Sequence, residues 1–169
     1  MMDYAAALRA LVDGGVRFLI VGGAAATAHG SARLTHDLDI VYARNRSNLE
    51  RLARALAHHA PCLREAGPKE AFQLDADTLA GGVSFALATG MGDLDLLGQV
   101  AGGRCYEDLL PEAIEIEVFG RRCRCLDLPG LIAVKRAAAA GSGRTEDLEA
   151  IAELEALLEE RQALGHAAQ

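Results

Sequence analysis

The chain has 169 residues, 51% of them apolar and only 4% aromatic, with a formal charge of −7. That length sustains one domain with a real core, and the composition excludes a disordered segment. The acidic balance argues against a protein whose main task is to grip extended nucleic acid, which usually needs a basic surplus.

The longest apolar run, residues 18–28, is too short to span a bilayer and is broken by Gly22 and Gly23. The N-terminus shows neither the basic nor the apolar region of a signal peptide, so no membrane partner and a cytoplasmic location are expected. Cys62, Cys105, Cys123 and Cys125 are then expected to be reduced and to serve as small core hydrophobes. No His or further Cys stands near Cys123 and Cys125 to complete a zinc site.

In chain order, Asp3 can cap a first helix with Tyr4, Leu8, Leu11 and Val12 on one stripe, ended by Gly14-Gly15. Residues 17–22 read as a buried strand, followed by a short Ala-rich helix that reaches His29 and stops at Gly30. Residues 37–42 form the second strand. Ser47 followed by Glu50 is a capping box for a helix running to about His59, closed by Pro61. Its Arg51 and Arg54, with Arg44 and Arg46, read as a solvated basic face. Residues 83–89 and 93–97 form a hairpin around Gly90-Met91-Gly92.

Ile114, Ile116 and Val118 then alternate with Glu115 and Glu117 in a half-exposed strand. Phe119-Gly120-Arg121 turns it, and residues 123–126 pair back. Pro129 sits in the first turn of a helix to about Ala140. Gly141-Ser142-Gly143 interrupts that helix, and an amphipathic helix over 145–164 closes the chain. This order predicts an α/β (α+β) fold, a mixed sheet with helices packed on it and not a doubly wound parallel sheet. Residues 1–126 would form the core and 127–169 C-terminal helices packed on it, in one compact domain overall.

Chemistry concentrates around the first two strands. Asp37 and Asp39 alternate with Leu38 and Ile40, so both carboxylates share one face, with Cα atoms roughly 6–7 Å apart. Such a pair can share divalent cations while the aliphatics anchor the strand. Gly22-Gly23, at a strand-to-helix junction, can expose backbone N–H groups to a phosphate or allow close packing. The chain lacks the Gly-Lys-Ser/Thr ending of a P-loop and has no G-x-G-x-x-G.

The glycine pair, a connector of thirteen residues and Asp37-Leu38-Asp39-Ile40 together resemble the signature of the DNA polymerase β-like nucleotidyltransferase superfamily. Within it, Gly22-Gly23-Ala24, His29-Gly30, Arg33, Thr35, Asp37 and Asp39 look like the first motif of the small AbiEii-type (toxin-like) nucleotidyltransferases. Leu131-Ile132-Ala133-Val134-Lys135 and Arg144-x-x-Asp147 resemble their helical Lys and Arg-x-x-Asp block. The likeness covers about residues 15–160, and Gly141-Ser142-Gly143 makes the Lys135–Arg144 connector looser than the family pattern.

The resemblance implies a nucleotidyltransferase fold and a third carboxylate on a later strand. Asp95, with hydrophobic neighbours on both sides, fits better than Asp93, which follows Gly92 and shares the same face. Asp37, Asp39 and Asp95 would hold two Mg2+ ions, with Mn2+ as an alternative, and Asp95 would help deprotonate an acceptor hydroxyl. Lys135 would neutralise phosphate charge, and Gly22, Gly23, Arg33 and Asp147 would contact the nucleotide. Arg33 has an equal alternative in pairing with Asp37 or another acid, and Asp147 in positioning Lys135 or in serving as a helix N-terminal acid. His29 is expected to be a structural hydrogen-bonder, His36 an exposed candidate base, and His58 and His59 the polar end of a helix. Tyr42 and Phe85 are the available base-stacking platforms, with core packing the expected role of both.

The implied activity is metal-dependent transfer of a nucleoside monophosphate from an NTP, ATP among them, to an acceptor hydroxyl with release of pyrophosphate. The acceptor would be a protein, a small molecule or tRNA, with tRNA last because the chain is short and acidic. The alternative is a catalytically weak or inactive module that keeps the fold, such as a toxin–antitoxin component with a cognate antitoxin or other partner protein.

Overall fold

A computed structural model describes residues 1–66 and 72–167. Asp3 accepts a hydrogen bond from the Ala6 N–H at 2.9 Å and opens α1 (Tyr4–Asp13), which buries Ala7, Leu8 and Leu11. The fully buried β1 (Phe18–Val21) runs directly into α2 (Gly22–Ala28), and β2 (Asp37–Tyr42) follows. Next come α3 (Arg46–Leu56), β3 (Cys62–Leu63), α4 (Ala76–Gly81) and the hairpin β4 (Ser84–Thr89) and β5 (Gly92–Leu97). The short α5 (Tyr106–Leu109) leads to a second hairpin, β6 (Ala113–Val118) and β7 (Arg121–Leu126). Two helices end the chain, α6 (Leu128–Ser142) and α7 (Thr145–Ala167).

The strands form one mixed sheet in the order β3-β4-β5-β2-β1-β7-β6. β2 with β5 and β1 with β7 are parallel, and the other pairs are antiparallel. The expected α/β architecture is the observed one. Directly paired residues share a face, so Leu38, Ile40 and Tyr42 of β2 line up with Phe18 and Ile20 of β1 and Leu94 and Leu96 of β5. That face is apolar, and α1 packs over it with α3 alongside. Asp37, Asp39, Asp93 and Asp95 share the opposite face.

Several local expectations change. Asn45, not Ser47, caps α3, because its side chain reaches the Asn48 N–H at 3.0 Å. Gly141 and Ser142 do not interrupt α6, which continues to a left-handed Gly143 at φ 61°. α4 and α5 were not anticipated, since six and four residues are too few for a hydrophobic period to show. Cys123 and Cys125 are buried in the core as expected, but Cys62 is exposed and packs nothing away from water. Tyr42 is wholly buried, and its hydroxyl has no partner among the described residues. Phe85 pairs with Leu96 on the apolar face, so neither aromatic is placed to stack a base over the acidic face. Among the described residues no helix is long and apolar enough to cross a membrane.

One buried polar side chain ties these elements together. Asn48, fully buried on α3, accepts from the Arg17 N–H at 2.7 Å and donates to the carbonyls of Arg17 (3.0 Å) and Ala43 (2.7 Å). It therefore holds α3 to the start of β1 and the end of β2. Asn48→Ala leaves the Arg17 N–H and the buried Ala43 carbonyl without this partner, while the Arg17 carbonyl keeps the Ala43 N–H, and should cost about 2–3 kcal/mol in urea unfolding. The exposed cap change Asn45→Ala should cost about 1 kcal/mol. Equal losses for the two would show that Asn48 is no staple.

Candidate active site

The parallel register of β2 and β5 sets Asp39 opposite Asp95 and Asp37 opposite Asp93. Carboxylate oxygens of Asp37, Asp39 and Asp95 all lie within 4.8 Å of one another, and all three residues are half-buried. Asp93 stands outside that group. Its carboxylate faces Arg64, at 3.3 Å.

The glycine pair is required by close approach. Gly22 has φ +63°, and a Cβ added there would lie 2.1 Å from Asp39 Oδ2. A Cβ on Gly23 would lie 2.6 Å from Thr35 Oγ1. The pair therefore serves close packing around Asp39 and Thr35 whatever else it binds. Thr35 Oγ1 donates to Asp37 Oδ1 at 3.1 Å. The Tyr4 hydroxyl lies 3.1 Å from the Asp37 carbonyl and 3.2 Å from that of Thr35, which pins the entry to β2 against α1.

Three acids so close repel one another. Burial, followed by the charges of Asp37 and Asp95, pushes the Asp39 carboxyl up to about 7, with Gly23 N–H and Lys135 opposing. Burial also raises Asp95, with Arg64 opposing and Asp37 and Asp93 adding to the rise. Crowded oxygen donors held half-buried with raised proton affinity are a donor set that suits a hard divalent cation. Such a cation would relieve the repulsion that now favours a proton.

Beside the acids lies a cavity of about 150 Å3 with a mixed wall, Ser31, Arg33, Thr35 and Lys135 on one hand and Leu34 and Leu154 on the other. Lys135, half-buried on α6, has no ion-pair partner among the described residues. Arg33 reaches Glu153 Oε2 at 3.9 Å, so its acid is on α7 and is not Asp37. Asp147 stands apart from the cavity. It accepts from Ser142 Oγ at 2.5 Å and pairs with Arg144 at 3.4 Å in the first turn of α7. A larger apolar cavity of about 440 Å3 lies against Tyr4, Leu8, Ile20 and Leu38 and shares Arg33, Leu34 and Thr35 with the smaller one.

His29 is structural, as expected. Its buried ring has Nε2 at 2.8 Å from the Leu126 carbonyl and Nδ1 at 3.1 Å from the Arg161 guanidinium. A guanidinium can only donate, so Nδ1 accepts and the ring proton sits on Nε2. His36 and His58 are exposed and His59 half-buried. Of the basic cluster, Arg44 donates to the carbonyls of Ala80 and Gly82, and Arg46 pairs with Glu50 and Asp77. Sequence reasoning missed Arg64. Its only signal is register: the Arg64 N–H donates to the Ala86 carbonyl at 2.9 Å, in line with Asp95 and Asp39.

Because Asp39 titrates higher in the folded chain than in the unfolded one, the folded state binds the extra proton between about pH 4 and 7. That stabilisation is complete below the ordinary carboxylate pKa and is lost as pH rises through about 7. Asp39→Asn, permanently neutral, should match wild type near pH 4 and exceed it by on the order of 1–3 kcal/mol at pH 8 without metal. Urea unfolding at the two pH values checks this. A mutant less stable than wild type at pH 8 would mean the acid is not strained.

The comparisons with known proteins bear on this arrangement of strands and acids. A comparison with curated proteins finds no match. Among solved structures, the crystal structure of a candidate nucleotidyltransferase (TM1012) from Thermotoga maritima aligns with TM-score 0.52 and 18% identity, covering 95% of this chain and 96% of that one. The solution structure of the antibiotic-resistance factor ANT(2'')-Ia aligns with TM-score 0.55 and 18% identity, covering 96% and 93% respectively. At such identity the likeness is one of fold, and the fold is that of nucleotidyltransferases. The family model described as "Nucleotidyl transferase of unknown function (DUF2204)" matches residues 1–164, nearly the whole chain, and the chain belongs to that family.

Proposed function

We propose that this protein transfers a nucleoside monophosphate from a metal-bound NTP to an acceptor hydroxyl, with release of pyrophosphate. The observation that carries the reading is the convergence of Asp37, Asp39 and Asp95 within 4.8 Å on one sheet face. These residues would hold the two divalent ions, Mg2+ or Mn2+, which supply charge neutralisation and alignment of the triphosphate for attack. Lys135, free of carboxylate partners among the described residues, and Arg33 would take the phosphates in the adjoining cavity. Gly23 contributes a surface without a side chain at the same wall.

Asp95 stands beside Asp39 on the neighbouring strand, and its raised proton affinity suits it to take the acceptor's hydroxyl proton. Asp147 acts at one remove, by holding Ser142 and Arg144 at the α6–α7 junction. The His29-Gly30, Arg33 and Thr35 pattern supports a place near the AbiEii-type enzymes within the superfamily, and with it an antitoxin or other partner protein. A protein or small molecule is the favoured acceptor, ahead of tRNA, because the chain is acidic and its Arg44 and Arg46 are held by local partners. The exposed free thiol of Cys62 fits a reducing, cytoplasmic setting.

Thermal unfolding with each NTP, with and without Mg2+, tests this without knowledge of the acceptor. A ligand at a hundredfold its Kd should raise the midpoint by roughly 5 °C, only when Mg2+ is present. Asp39→Asn should abolish the rise, and Lys135→Ala should weaken the nucleotide on the order of tenfold while leaving Mn2+ binding intact. No Mg2+-dependent rise with any NTP would overturn the nucleotide reading. A rise without pyrophosphate release against protein or small-molecule hydroxyls would favour a binding module that has lost turnover.

A further inference from the structure

Asp95 already has a cation. Reading straight across the sheet, Asp39 of β2 is opposite Asp95 of β5, which is opposite Ala86 of β4, which receives the Arg64 N–H just past β3. The next row runs Asp37, Asp93, Ala88 and Cys62. Paired residues share a face, and β4 contributes only methyl groups to it at Ala86 and Ala88. Among the described residues the long stem of Arg64 therefore crosses only these methyl groups to reach the acids two strands away. Its guanidinium forks, with one nitrogen on Asp95 Oδ1 and the other 3.3 Å from Asp93 Oδ2. The side chains of Arg64 and Asp95 are 27% and 22% exposed, so water screens the pair only in part.

One carboxylate thus faces two demands: it belongs to the acidic triad and it is an arginine's partner. We propose that Arg64 is the resident counter-ion of the third carboxylate, and that a divalent cation binding the triad must displace it from Asp95. This inference rests on the reading that the triad holds such a cation. Asp93 then has a definite task. Standing outside the triad and already within reach of the same guanidinium, it keeps Arg64 beside the site after displacement. Arg64 in this role is a positioning residue that lowers metal affinity and offsets part of the repulsion at the Asp95 end of the metal-free acids.

Mn2+ binding, read from the electron paramagnetic resonance of the free ion, tests the displacement in wild type, Arg64→Met, Arg64→Lys and Asp39→Asn. Arg64→Met should bind Mn2+ on the order of tenfold more tightly than wild type, the scale of a half-screened charge pair. Arg64→Lys, a cation without the fork, should fall between them. A second readout uses the wild-type chain alone: the Arg64 Nε–H resonance should shift during Mg2+ titration and stay fixed in Asp39→Asn. Equal or weaker Mn2+ binding by Arg64→Met, with wild-type binding lost in Asp39→Asn, would overturn the displacement and leave the metal reading standing. An Arg64 resonance unmoved at saturating Mg2+ would do the same, even if Arg64→Met did not fold. Absence of Mn2+ binding in both wild type and Arg64→Met would overturn the metal reading and this inference with it.

Discussion

The pairing of β2 with β5 is the constraint on which the site depends. A parallel pair has no tight turn to set its register, so the register must come from packing. Here it comes from Leu38 and Ile40 against Leu94 and Leu96, none of them exposed at all. A slip of one residue by either strand would turn its two aliphatics to the acidic face and drive its two aspartates into the core. Each buried aliphatic contributes about 1.5–3 kcal/mol, which together exceeds the cost of the burial and repulsion that lift Asp39 to about 7. The apolar face therefore holds the acidic face together against its own charge.

Around that pairing, small contacts fix each acid separately. Asp39 nests against Gly22, with the Gly23 N–H favouring its charge, and Asp37 is held by Thr35, whose carbonyl approaches the Tyr4 hydroxyl. These contacts come from α1, the β1–α2 junction and the connector before β2, so the site is preorganised by the fold itself. The counter-charges are placed unequally. Lys135 acts on Asp39 from α6, while Arg64 touches Asp95 and Asp93 from the far side of the sheet. The two ends of the acidic row thus face different cations.

The legible part of the sequence was the part with strong local signals. Gly22-Gly23 and Asp37-Leu38-Asp39-Ile40 announce a backbone approach and a one-faced acid pair at once. The hairpin around Gly90–Gly92 put both Asp93 and Asp95 on a shared face, though only register separates the two. What stayed hidden was non-local. Arg64 belongs to the edge of a two-residue strand and gains meaning only because Ala86 and Ala88 lie between it and the acids. The cap of α3 fell to Asn45 and not to Ser47, because which side chain reaches a free N–H of the first turn depends on the backbone that enters the helix. Arg33 found Glu153, 120 positions on, for the same reason: nothing local foretells which helix will pass by.

That passing helix has a wider consequence. Glu153 on α7 accepts from the Ser31 hydroxyl and the Ala32 N–H, Arg161 holds both the ring and the carbonyl of His29, and Leu154 lines the smaller cavity. The helix thus shapes the segment between α2 and β2 from outside the sheet, without touching an aspartate. The acids and the wall that faces them are separately variable. Substitutions along one surface of α7 can therefore reshape the cavity wall while the carboxylates stay under the control of the β2–β5 register.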